Sequence, residues 1–432
     1  MNLARHIEQY LPSPLLELML HINAEAAERG ETLYLVGGIV RDLLLSLSSP
    51  GPPTGLRFDL DLVVEGDAVK LATQAATTGR PRLLAHHRFG TAKLKYETFT
   101  LDLATARKET YERPGALPRV TPGTLKDDLI RRDFSINAMA MSLATQDYGE
   151  LIDPHKGKTD LEQGLIRVLH AASFSDDPTR ILRAVRYEQR LGFVLEAETA
   201  QLLEQSIPML DAISGDRIRH ELEMILREDR PELAINRLGE LGALSRIGHI
   251  LTGDDWLAAS FDRARRLKRP AQLPAIYLCL MVYPYHEDEV EQVLTRLSTP
   301  AKLSRAIRDT LRLKGRLHLL DRPALKPSEV YDLLQEYDLT AIQASVAASD
   351  SPEVRRHLQL FLTKLRHITT LLDGEDLKRL GIPAGPHMGQ ILQTLRRARL
   401  DGEVSTRADE ERLASELTQY RSPSAKQEGQ GR

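Results

Sequence analysis

Patterns typical of β-strands are confined to the first part of this 432-residue chain. There, apolar segments of strand length, such as residues 32–36 and 91–96, alternate with segments of helical periodicity. From residue 174 onward the sequence shows successive helical segments separated by Gly and Pro, without a fixed-period repeat. We therefore predict an α+β protein, in which a mixed β-sheet with helices is followed by an all-helical extension.

Composition restricts the class of protein further. With 42% apolar and 28% charged residues, the chain resembles a globular protein of about two to four domains. The single cysteine, Cys279, excludes an internal disulfide and is predicted to be a small buried apolar residue in a reducing compartment. The net charge of −3 means that any contact with nucleic acid must come from local basic patches.

Nothing in the sequence indicates a membrane protein. No apolar stretch approaches the length of a membrane span. The N-terminal residues lack the basic region and apolar core of a signal peptide. Together with the cysteine content, these features predict a cytoplasmic protein, and the polar residues 422–432 are predicted to be a disordered tail.

Two aspartates, Asp59 and Asp61, lie two residues apart in a segment with strand character. Because side chains alternate along a strand, both carboxylates are expected to project from the same face, close together. Two like charges at that separation repel each other, and Mg²⁺ removes the repulsion because it prefers a few carboxylates together with phosphate oxygens. The pair predicts a metal site for phosphate chemistry, although solvated strands also contain this pattern by chance.

A glycine pair and a third carboxylate accompany these aspartates. Gly37 and Gly38 end one strand segment and begin a helical one, which lets a phosphate approach the backbone and the helix N-terminus. Arg41 is within reach of the same phosphate, although a glycine pair also occurs in ordinary turns. Asp102 lies on a later strand segment, where it would either join the aspartates around two metal ions or have a structural role.

The next polar region combines a long loop with a charged cluster. Residues 107–126 are polar and contain several Pro and Gly, so we predict a loop without structure of its own. The cluster that follows, residues 131–138, has the sequence RRDFSINA. Adjacent arginines point in different directions on a helix, so only one of them is expected to meet a triphosphate. Asp133 is expected to orient an arginine, contact a ribose or cap a helix.

The helical part of the chain opens with residues 176–180, DDPTR. Pro178 suits the first position of a helix, so Asp177 is predicted to be its N-cap. Arginines then recur every third residue and form a basic stripe. One interpretation is a capped amphipathic helix. The other is that Asp177 and Arg180 pair with the Watson–Crick edge of an incoming base, because the arginine fork suits planar hydrogen-bonding edges.

In this order, four segments closely resemble the motif series of class II tRNA nucleotidyltransferases, which are the CCA-adding enzymes and the related bacterial poly(A) polymerases. The segments are residues 37–42 (GGIVRD), 59–61 (DLD), 131–138 (RRDFSINA) and 176–180 (DDPTR). The resemblance is strong over residues 30–230 and thin beyond them, apart from a similar segment at residues 381–386 (GIPAGP).

The resemblance implies a role for each matching residue. Asp59 and Asp61 correspond to a catalytic, metal-binding pair, with Asp102 as a candidate helper. The positions implied to contact the nucleotide are Gly37, Gly38, Arg41, Arg132, Asp133, Asn137, Asp177, Arg180, Arg183 and Arg186. Among these, Asp177 and Arg180 would select the base, and the other arginines would neutralise the triphosphate.

The resemblance also implies a domain organisation. Residues 1–172 would form a head with the nucleotidyltransferase fold, 173–235 a helical neck that recognises the base, and 236–421 a helical body and tail that bind tRNA. Residues 107–126 correspond to a loop linked with the switch from C to A addition. Residues 217–226 correspond to a motif that stabilises the neck helix.

One position departs from the family pattern. The family motif usually begins with Glu, and here that place is taken by Asp176. The shorter side chain keeps the charge but has less reach, which leaves the orientation of Arg180 open. The residues that would pair with the base are intact.

The implied activity is the addition of C and A from CTP and ATP to the 3′ end of tRNA, with Mg²⁺ as the cofactor. Alternatives within the family are an A-adding enzyme, a CC-adding enzyme or a poly(A) polymerase, and the full-length segment 107–126 argues against CC addition alone. Outside this family, the alternative is a non-catalytic RNA-binding protein. It is disfavoured because such a protein gains nothing from two unpaired carboxylates close together. The basic segments 263–269 and 396–399 are candidate phosphate contacts for tRNA.

Overall fold

The fold was analysed in a computed structural model of the full chain. The structure describes residues 1–47, 58–76, 81–97, 99–113, 115–267, 270 and 272–419. The chain divides into two compact units, Met1–His249 and Ile250–Arg432. The predicted disordered tail, 422–432, lies outside the described residues, as does most of the Ser- and Pro-rich segment that follows residue 47.

The strands lie in the first unit. They are β1 (Thr32–Val36), β2 (Phe58–Glu65), β3 (Arg82–His86), β4 (Thr91–Lys95), β5 (Phe99–Thr105), β6 (Arg107–Thr110), β7 (Arg119–Pro122), β8 (Ala140–Ser142), β9 (Leu151–Ile152), β10 (Leu165–Ile166) and β11 (Val194–Leu195). β11 is a two-residue strand in a region predicted to be all-helical, and it pairs only with β10. The strands predicted around residues 32–36, 58–65 and 83–88 are confirmed, whereas the single strand predicted from residue 91 to 103 is divided into β4 and β5, which pair with each other.

Seven strands form one mixed sheet in the order β3-β4-β5-β2-β1-β8-β9. β2 and β5 run parallel at its centre, and the remaining neighbours are antiparallel. The register places Asp59 opposite Thr100 and Asp61 opposite Asp102. Paired residues of neighbouring strands project from the same face, so the three aspartates share one face of the sheet.

The helices of the first unit cover the sheet and continue beyond it. They are α1 (Ala4–Tyr10), α2 (Ser13–Glu28), α3 (Gly38–Ser46), α4 (Ala68–Ala75), α5 (Leu125–Ile130), α6 (Gly157–Gln163), α7 (Ser173–Asp176), α8 (Thr179–Leu191), α9 (Ala197–Ser206), α10 (Gly215–Ile225), α11 (Pro231–Glu240) and α12 (Ala243–Ile247). Helix α8 packs against α10 and α11. This packing brings the charged side chains of α8 and α10 together.

The two faces of β2 have different surroundings. Leu60, Leu62 and Val64 alternate with the aspartates and are fully buried on the opposite face. On the aspartate face, Val63 packs in an apolar cluster with Leu129 of α5. The aspartates therefore occupy the uncovered end of a strand whose other end is anchored in the core.

The prediction of an unstructured loop over residues 107–126 is wrong. β6 and β7 form an antiparallel hairpin in which Arg107 pairs with Pro122 and Thr110 with Arg119. Helix α5 begins immediately after it, with Thr124 and Asp127 forming a capping box. The Pro and Gly residues suggested a loop, whereas the short strands between them had too few residues to show a period.

The second unit is helical throughout its described residues. Its helices are α13 (Asp255–Arg265), α14 (Leu273–Val282), α15 (Glu287–Arg296), α16 (Ala301–Lys314), α17 (Pro327–Leu334), α18 (Leu339–Ala348), α19 (Pro352–Thr363), α20 (Gly374–Arg379), α21 (Pro386–Leu400) and α22 (Arg407–Gln419). Cys279 lies buried in α14, and burial raises the pKa of its thiol to about 12, as expected for an apolar role. Within the described part of the chain, no helix is both long and apolar enough to cross a membrane.

Candidate active site

A cavity of about 420 Å³ lies in the first unit, between the sheet and helix α8. Most of the residues predicted to form the site line this cavity. They are Gly37, Gly38, Asp61, Arg132, Asp133, Asn137, Asp177, Arg180 and Arg183. Tertiary folding therefore brings the four sequence segments to one place, although they span more than a hundred residues of the chain.

Four of the predicted residues are not among those that line the cavity. Asp59 is exposed, and Asp102 forms an ion pair with Lys93 at 2.7 Å. Arg41 and Arg186 are buried, with exposed fractions of 3% and 5%. Direct nucleotide contact by these four side chains stays a prediction.

The three aspartates bring negative charge together on one face of the sheet. Burial raises the pKa of Asp61 to about 6, and the carboxylates of Asp102 and Asp59 add to the effect, while Arg132 counteracts it. A carboxylate that is costly to ionise on its own is well suited to a cation. Asp59 and Asp61 thus fit a hard divalent ion that takes further oxygen ligands from a phosphate.

The protein supplies only part of such a coordination sphere. Among the described residues, no group of three or more His, Cys, Asp or Glu side chains is arranged to hold a metal ion by itself. Asp102, the third carboxylate, is already neutralised by Lys93. The remaining ligands would have to come from substrate and water, as is usual for Mg²⁺.

The turn between β1 and α3 requires glycine for two reasons. Gly37 has a φ of 75°, in the left-handed region that L-residues with a side chain rarely adopt. A Cβ at this position would also lie 2.9 Å from Nη1 of Arg132 and 3.8 Å from Oδ2 of Asp61. Gly37 is thus the point at which the backbone, the Arg132 guanidinium and the Asp61 carboxylate meet.

A buried carboxylate holds both arginines of the charged cluster. Asp128 has no exposed surface and accepts hydrogen bonds from Arg131 at 2.6 Å and from Arg132 at 2.9 Å. Arg131 also pairs with Glu109 of the hairpin at 3.2 Å. Nε of Arg132 is buried and has no hydrogen-bond partner among the described residues. Within the described chain, Arg131 thus uses all three of its nitrogens, whereas Arg132 uses only Nη2 and keeps more of its N–H groups for a ligand.

Asp133 orients an arginine, which was one of its expected roles. Its Oδ2 accepts from Arg183 at 2.6 and 3.0 Å, and its Oδ1 accepts from the Phe134 amide and from Asn137. Burial by itself would raise the pKa of Asp133, but Arg183 and the Asn137 hydrogen bond outweigh it and lower the pKa to about 2. Both oxygens of Asp133 are thus engaged within the protein.

Asp177 caps the start of α8. The helix begins at Thr179, one residue later than predicted, and Oδ1 of Asp177 accepts from the Thr179 amide at 3.0 Å and its hydroxyl at 2.6 Å. Oδ1 also accepts from Arg217 of α10 at 2.6 Å. Within the described residues, these hydrogen bonds leave Oδ2 of Asp177 for a ligand.

Arg180 is anchored without help from Asp176. Its Nη1 donates to the Ser173 hydroxyl and its Nη2 to the Arg131 carbonyl, both at 2.6 Å. The guanidinium is 5% exposed, and each terminal nitrogen has a second N–H that can face the cavity. The orientation of Arg180 therefore does not depend on Asp176, the residue that stands where the family motif has Glu.

Several residues of the site were not recognised in the sequence. Glu109, Tyr111, Tyr187 and Glu221 line the cavity, and Arg217 contacts it through Asp177. Glu109 and Tyr111 lie in the segment 107–126, which the resemblance singled out without a role for either residue. The same holds for Arg217 and Glu221 in the segment 217–226. Asp128 is the one further residue that a sequence pattern could have indicated. It precedes Arg131 and Arg132 by three and four residues, and this spacing favours ion pairs on a helix.

The basic segments of the second unit are largely paired within the chain. Arg263 donates to the Ala347 carbonyl, and Arg266 pairs with Asp262 at 2.6 Å. Residues 268 and 269 lie outside the described residues. In the other segment, Arg397 pairs with Asp332 and Arg399 with Glu410. Their contact with tRNA phosphates stays a prediction.

Family models match two parts of the chain. Residues 33–167 match the poly A polymerase head domain. Residues 192–248 match the probable RNA and SrmB-binding site of polymerase A. The first match covers the sheet and the aspartate pair, and the second covers α9 to α12.

Curated relatives match along almost the whole chain. An A-adding tRNA nucleotidyltransferase of Geobacter sulfurreducens is 35% identical over 95% of this chain, which spans 48% of that relative. An A-adding tRNA nucleotidyltransferase of Halalkalibacterium halodurans is 32% identical over 98% of this chain and 97% of its own length. A CC-adding enzyme of Deinococcus radiodurans is 33% identical over 88% of each chain. The chain thus spans about half of the first relative and nearly all of the second.

Solved structures show the same architecture. A CCA-adding enzyme in an apo form superposes with a TM-score of 0.76 at 30% identity, over 97% of this chain and 99% of its own. The Thermotoga maritima CCA-adding enzyme in complex with tRNA superposes with a TM-score of 0.71 at 31% identity, over 97% and 98% of the two chains.

Proposed function

We propose that this chain, which belongs to the tRNA nucleotidyltransferase family, adds C and A from CTP and ATP to the 3′ end of tRNA without a nucleic-acid template. The single observation that carries the proposal is the convergence of two chemistries on one cavity. Asp61 and Arg132, proposed to act on the phosphates, and Asp177 and Arg180, proposed to select the base, all line this cavity. Such a site is suited to a nucleoside triphosphate.

Base selection follows from the two groups that face the cavity from α8. Oδ2 of Asp177 accepts hydrogen bonds, and the free N–H groups of Arg180 donate them. Cytosine and adenine both place an amino donor beside a ring-nitrogen acceptor, whereas guanine and uracil place an oxygen where the amino group would be. An oxygen against Asp177 leaves a buried acceptor unpaired, so the pair favours C and A.

Arg132 and the Gly37 turn would hold the triphosphate. Nε of Arg132 is a buried donor that has no partner in the described chain, and the N-terminus of α3 favours an anion. Asp59 and Asp61 would hold Mg²⁺, which would lower the pKa of the attacking tRNA hydroxyl and stabilise the pyrophosphate leaving group. Asp128 keeps Arg132 directed at this place.

The acceptor and partner are proposed to be tRNA. The Thermotoga maritima structure is named as a complex with tRNA, and related structures are named as complexes with ATP and CTP. In this chain the helical second unit would contact the RNA backbone, and that contact should weaken with rising salt. A cytoplasmic location is proposed with it, since tRNA processing takes place there.

Addition of A alone is the second candidate. The relative from Halalkalibacterium halodurans, which is matched over nearly its full length, is named A-adding. The segment 107–126, which contains the hairpin β6–β7, has its full length in the sequence, and this favours an enzyme that adds A over one that adds only CC. Both candidates use the same site and differ in which tRNA ends they extend.

The test uses three tRNA substrates that lack one, two or all three of the terminal nucleotides. Each is incubated with purified protein and with CTP, ATP, GTP or UTP, singly and in pairs, and the 3′ ends are sequenced. Full CCA addition predicts extension of all three substrates, whereas A addition predicts extension only of the one that lacks its last nucleotide. Absence of any extension would overturn the proposal.

Variants of the base-selecting pair test the protein-based template. Asp177→Asn and Arg180→Gln are each expected to increase the use of GTP or UTP relative to CTP and ATP by about tenfold or more. Metal dependence should be unchanged, because neither residue lies on β2. A matched control is Asp176→Asn, next to Asp177 and outside the cavity lining. Unchanged selectivity in both variants would contradict this role.

A further inference from the structure

Three arginines surround one tyrosine at the edge of the cavity. Tyr187 of α8 lines the cavity, and its ring packs edge-on against the buried Phe134, with centroids 5.8 Å apart. The guanidinium carbons of Arg41, Arg183 and Arg186 lie 5.4, 5.8 and 5.1 Å from the centroid of the Tyr187 ring. All three distances are within the range of a cation–π contact.

The three arginines differ in how well carboxylates neutralise them. Arg183 is closely paired with Asp133 at 2.6 Å, and Arg41 with the partly exposed Asp42 at 2.7 Å. Arg186 is the least neutralised of the three. Its nearest carboxylate is 3.9 Å away, and its buried Nε has no hydrogen-bond partner in the described chain. Arg186 is thus a buried cation that depends on other contacts.

Only Arg183 and Tyr187 of this group line the cavity. Arg41 comes from α3 and Arg186 lies next to Tyr187 on α8, so the ring that lines the cavity is in contact with two buried cations that do not line it. Like charges held this close repel each other, and the negative face of an aromatic ring offsets part of that repulsion. The ring allows the cations to stay together in the absence of a ligand.

We propose that Tyr187 is a positioning residue for polyphosphate: its ring holds Arg41, Arg183 and Arg186 together so that their summed positive field reaches the cavity. This inference rests on the proposed function, because it assigns the triphosphate of the incoming nucleotide to that field. This proposed role of Tyr187 involves no contact with the base. Tyr187 therefore affects every nucleoside triphosphate equally and leaves base selection to Asp177 and Arg180.

The test compares Tyr187→Leu, which removes the ring, with Tyr187→Phe, which keeps it. For Tyr187→Leu we expect KM to rise roughly tenfold for both CTP and ATP, with little change in kcat and an unchanged preference for C and A. The inhibition constant of inorganic tripolyphosphate should rise by the same factor. Tyr187→Phe keeps the aromatic face and removes only the hydroxyl beside Arg41, so its KM and inhibition constants should rise far less than those of Tyr187→Leu.

Tyr96→Leu is the matched control. The Tyr96 ring stacks on Phe99 at 4.6 Å and does not line the cavity, so its loss removes an aromatic contact without touching the arginines. We expect it to change the unfolding temperature but not the KM values. Should Tyr187→Leu unfold below the assay temperature, Tyr187→Met takes its place. If neither folds, Tyr187 is a core residue and the inference is overturned.

Two further outcomes would overturn the inference. One is an unchanged tripolyphosphate affinity in Tyr187→Leu, and the other is an unequal effect on CTP and ATP, which would mean that the ring contacts the base. Equilibrium binding of tripolyphosphate separates this test from the proposed function. Binding that depends on Tyr187 supports the inference even if no tRNA end is extended, whereas extension by a Tyr187→Leu protein with normal KM values supports only the function.

Discussion

Arg217 donates a hydrogen bond to Asp177 at 2.6 Å and thereby links helix α10 to the carboxylate proposed to select the base. The other terminal nitrogen of Arg217 donates to the Gly115 carbonyl, in the connection between β6 and β7, at 2.9 Å. The Gly115 amide in turn donates to the Ser175 carbonyl at 3.1 Å. One guanidinium thus joins the hairpin to Asp177.

Replacing this arginine is expected to weaken base selection. In Arg217→Gln the carboxylate of Asp177 loses a charged partner and gains rotational freedom, so discrimination of C and A against G and U should fall roughly tenfold. Competition assays with mixed nucleoside triphosphates measure the ratio. Arg219→Gln, on the same helix and paired with Asp216, should leave it unchanged. Equal selectivity in the two variants would show that Arg217 does not position Asp177.

Asp61→Asn is expected to abolish activity and to stabilise the metal-free protein. Burial and the neighbouring carboxylates raise the pKa of Asp61 to about 6 in the folded protein, against about 3.8 in the unfolded chain. The protonated side chain therefore stabilises the fold at low pH, fully below about pH 3.8, and this stabilisation is lost as pH rises through about 6. Removing the charge should add about 1–3 kcal/mol to the free energy of unfolding at neutral pH in chelator. Denaturant titrations measure this change.

Asp59→Asn provides the contrast to this variant. Its carboxylate is exposed, so removal of the charge should cost activity without a gain in stability. Activity in both variants is expected to fall by about a hundredfold or more, since each loses a metal-binding oxygen. An Asp61→Asn protein that is less stable than the unmodified protein in chelator would contradict the proposed charge repulsion.

Acid is expected to weaken the pair between Asp133 and Arg183. The folded pKa of Asp133 is about 2, below its unfolded value, so the pair stabilises the protein above about pH 4 and the stabilisation is lost as pH falls towards 2. The difference in unfolding free energy between the unmodified protein and Asp133→Asn should shrink by about 2 kcal/mol across that window. Asp211→Asn, which breaks a surface pair with Arg246, should show little change.

Gly37→Ala is expected to cost both stability and activity. Two related positions separate the causes: Gly30 has a φ of 70° and open space around it, and Gly38 has neither a positive φ nor a contact under 3.6 Å. Gly30→Ala should cost about 1 kcal/mol from backbone strain alone, and Gly38→Ala less. Only Gly37→Ala should also displace Arg132 and raise KM for the nucleotides. Similar KM values for all three variants would contradict this arrangement.

The local part of the site was predictable from sequence. The strand period places Asp59 and Asp61 on one face, and the glycine pair ends β1 and begins α3. The capping role of Asp177 was also predictable, because Pro178 restricts the start of the helix. Each of these features depends on residues within a few positions of one another, where covalent geometry sets the outcome.

The hairpin β6–β7 was missed because each of its strands has four residues, too few for a period to be recognised. The roles of Tyr187 and Arg217 were missed for a different reason. Their partners, Arg41 and Gly115, are far away in the chain, and a contact between distant residues leaves no spacing pattern. Only the packing of α8 against α10 and the contact of Tyr187 with Arg41 of α3 make these residues part of the site.

Sequence by itself determined the longer strands and helices and which of their residues share a face, because those properties depend on local periodicity. The motif series is likewise a property of the sequence alone. Only the tertiary structure decided which partner each charge finds. Asp102 pairs with Lys93 across two strands, Asp133 takes Arg183 from α8, and Asp177 takes Arg217 from α10. Each charged side chain pairs with the opposite charge that tertiary packing places within a few ångströms of it. Packing brings together residues that are far apart in the sequence.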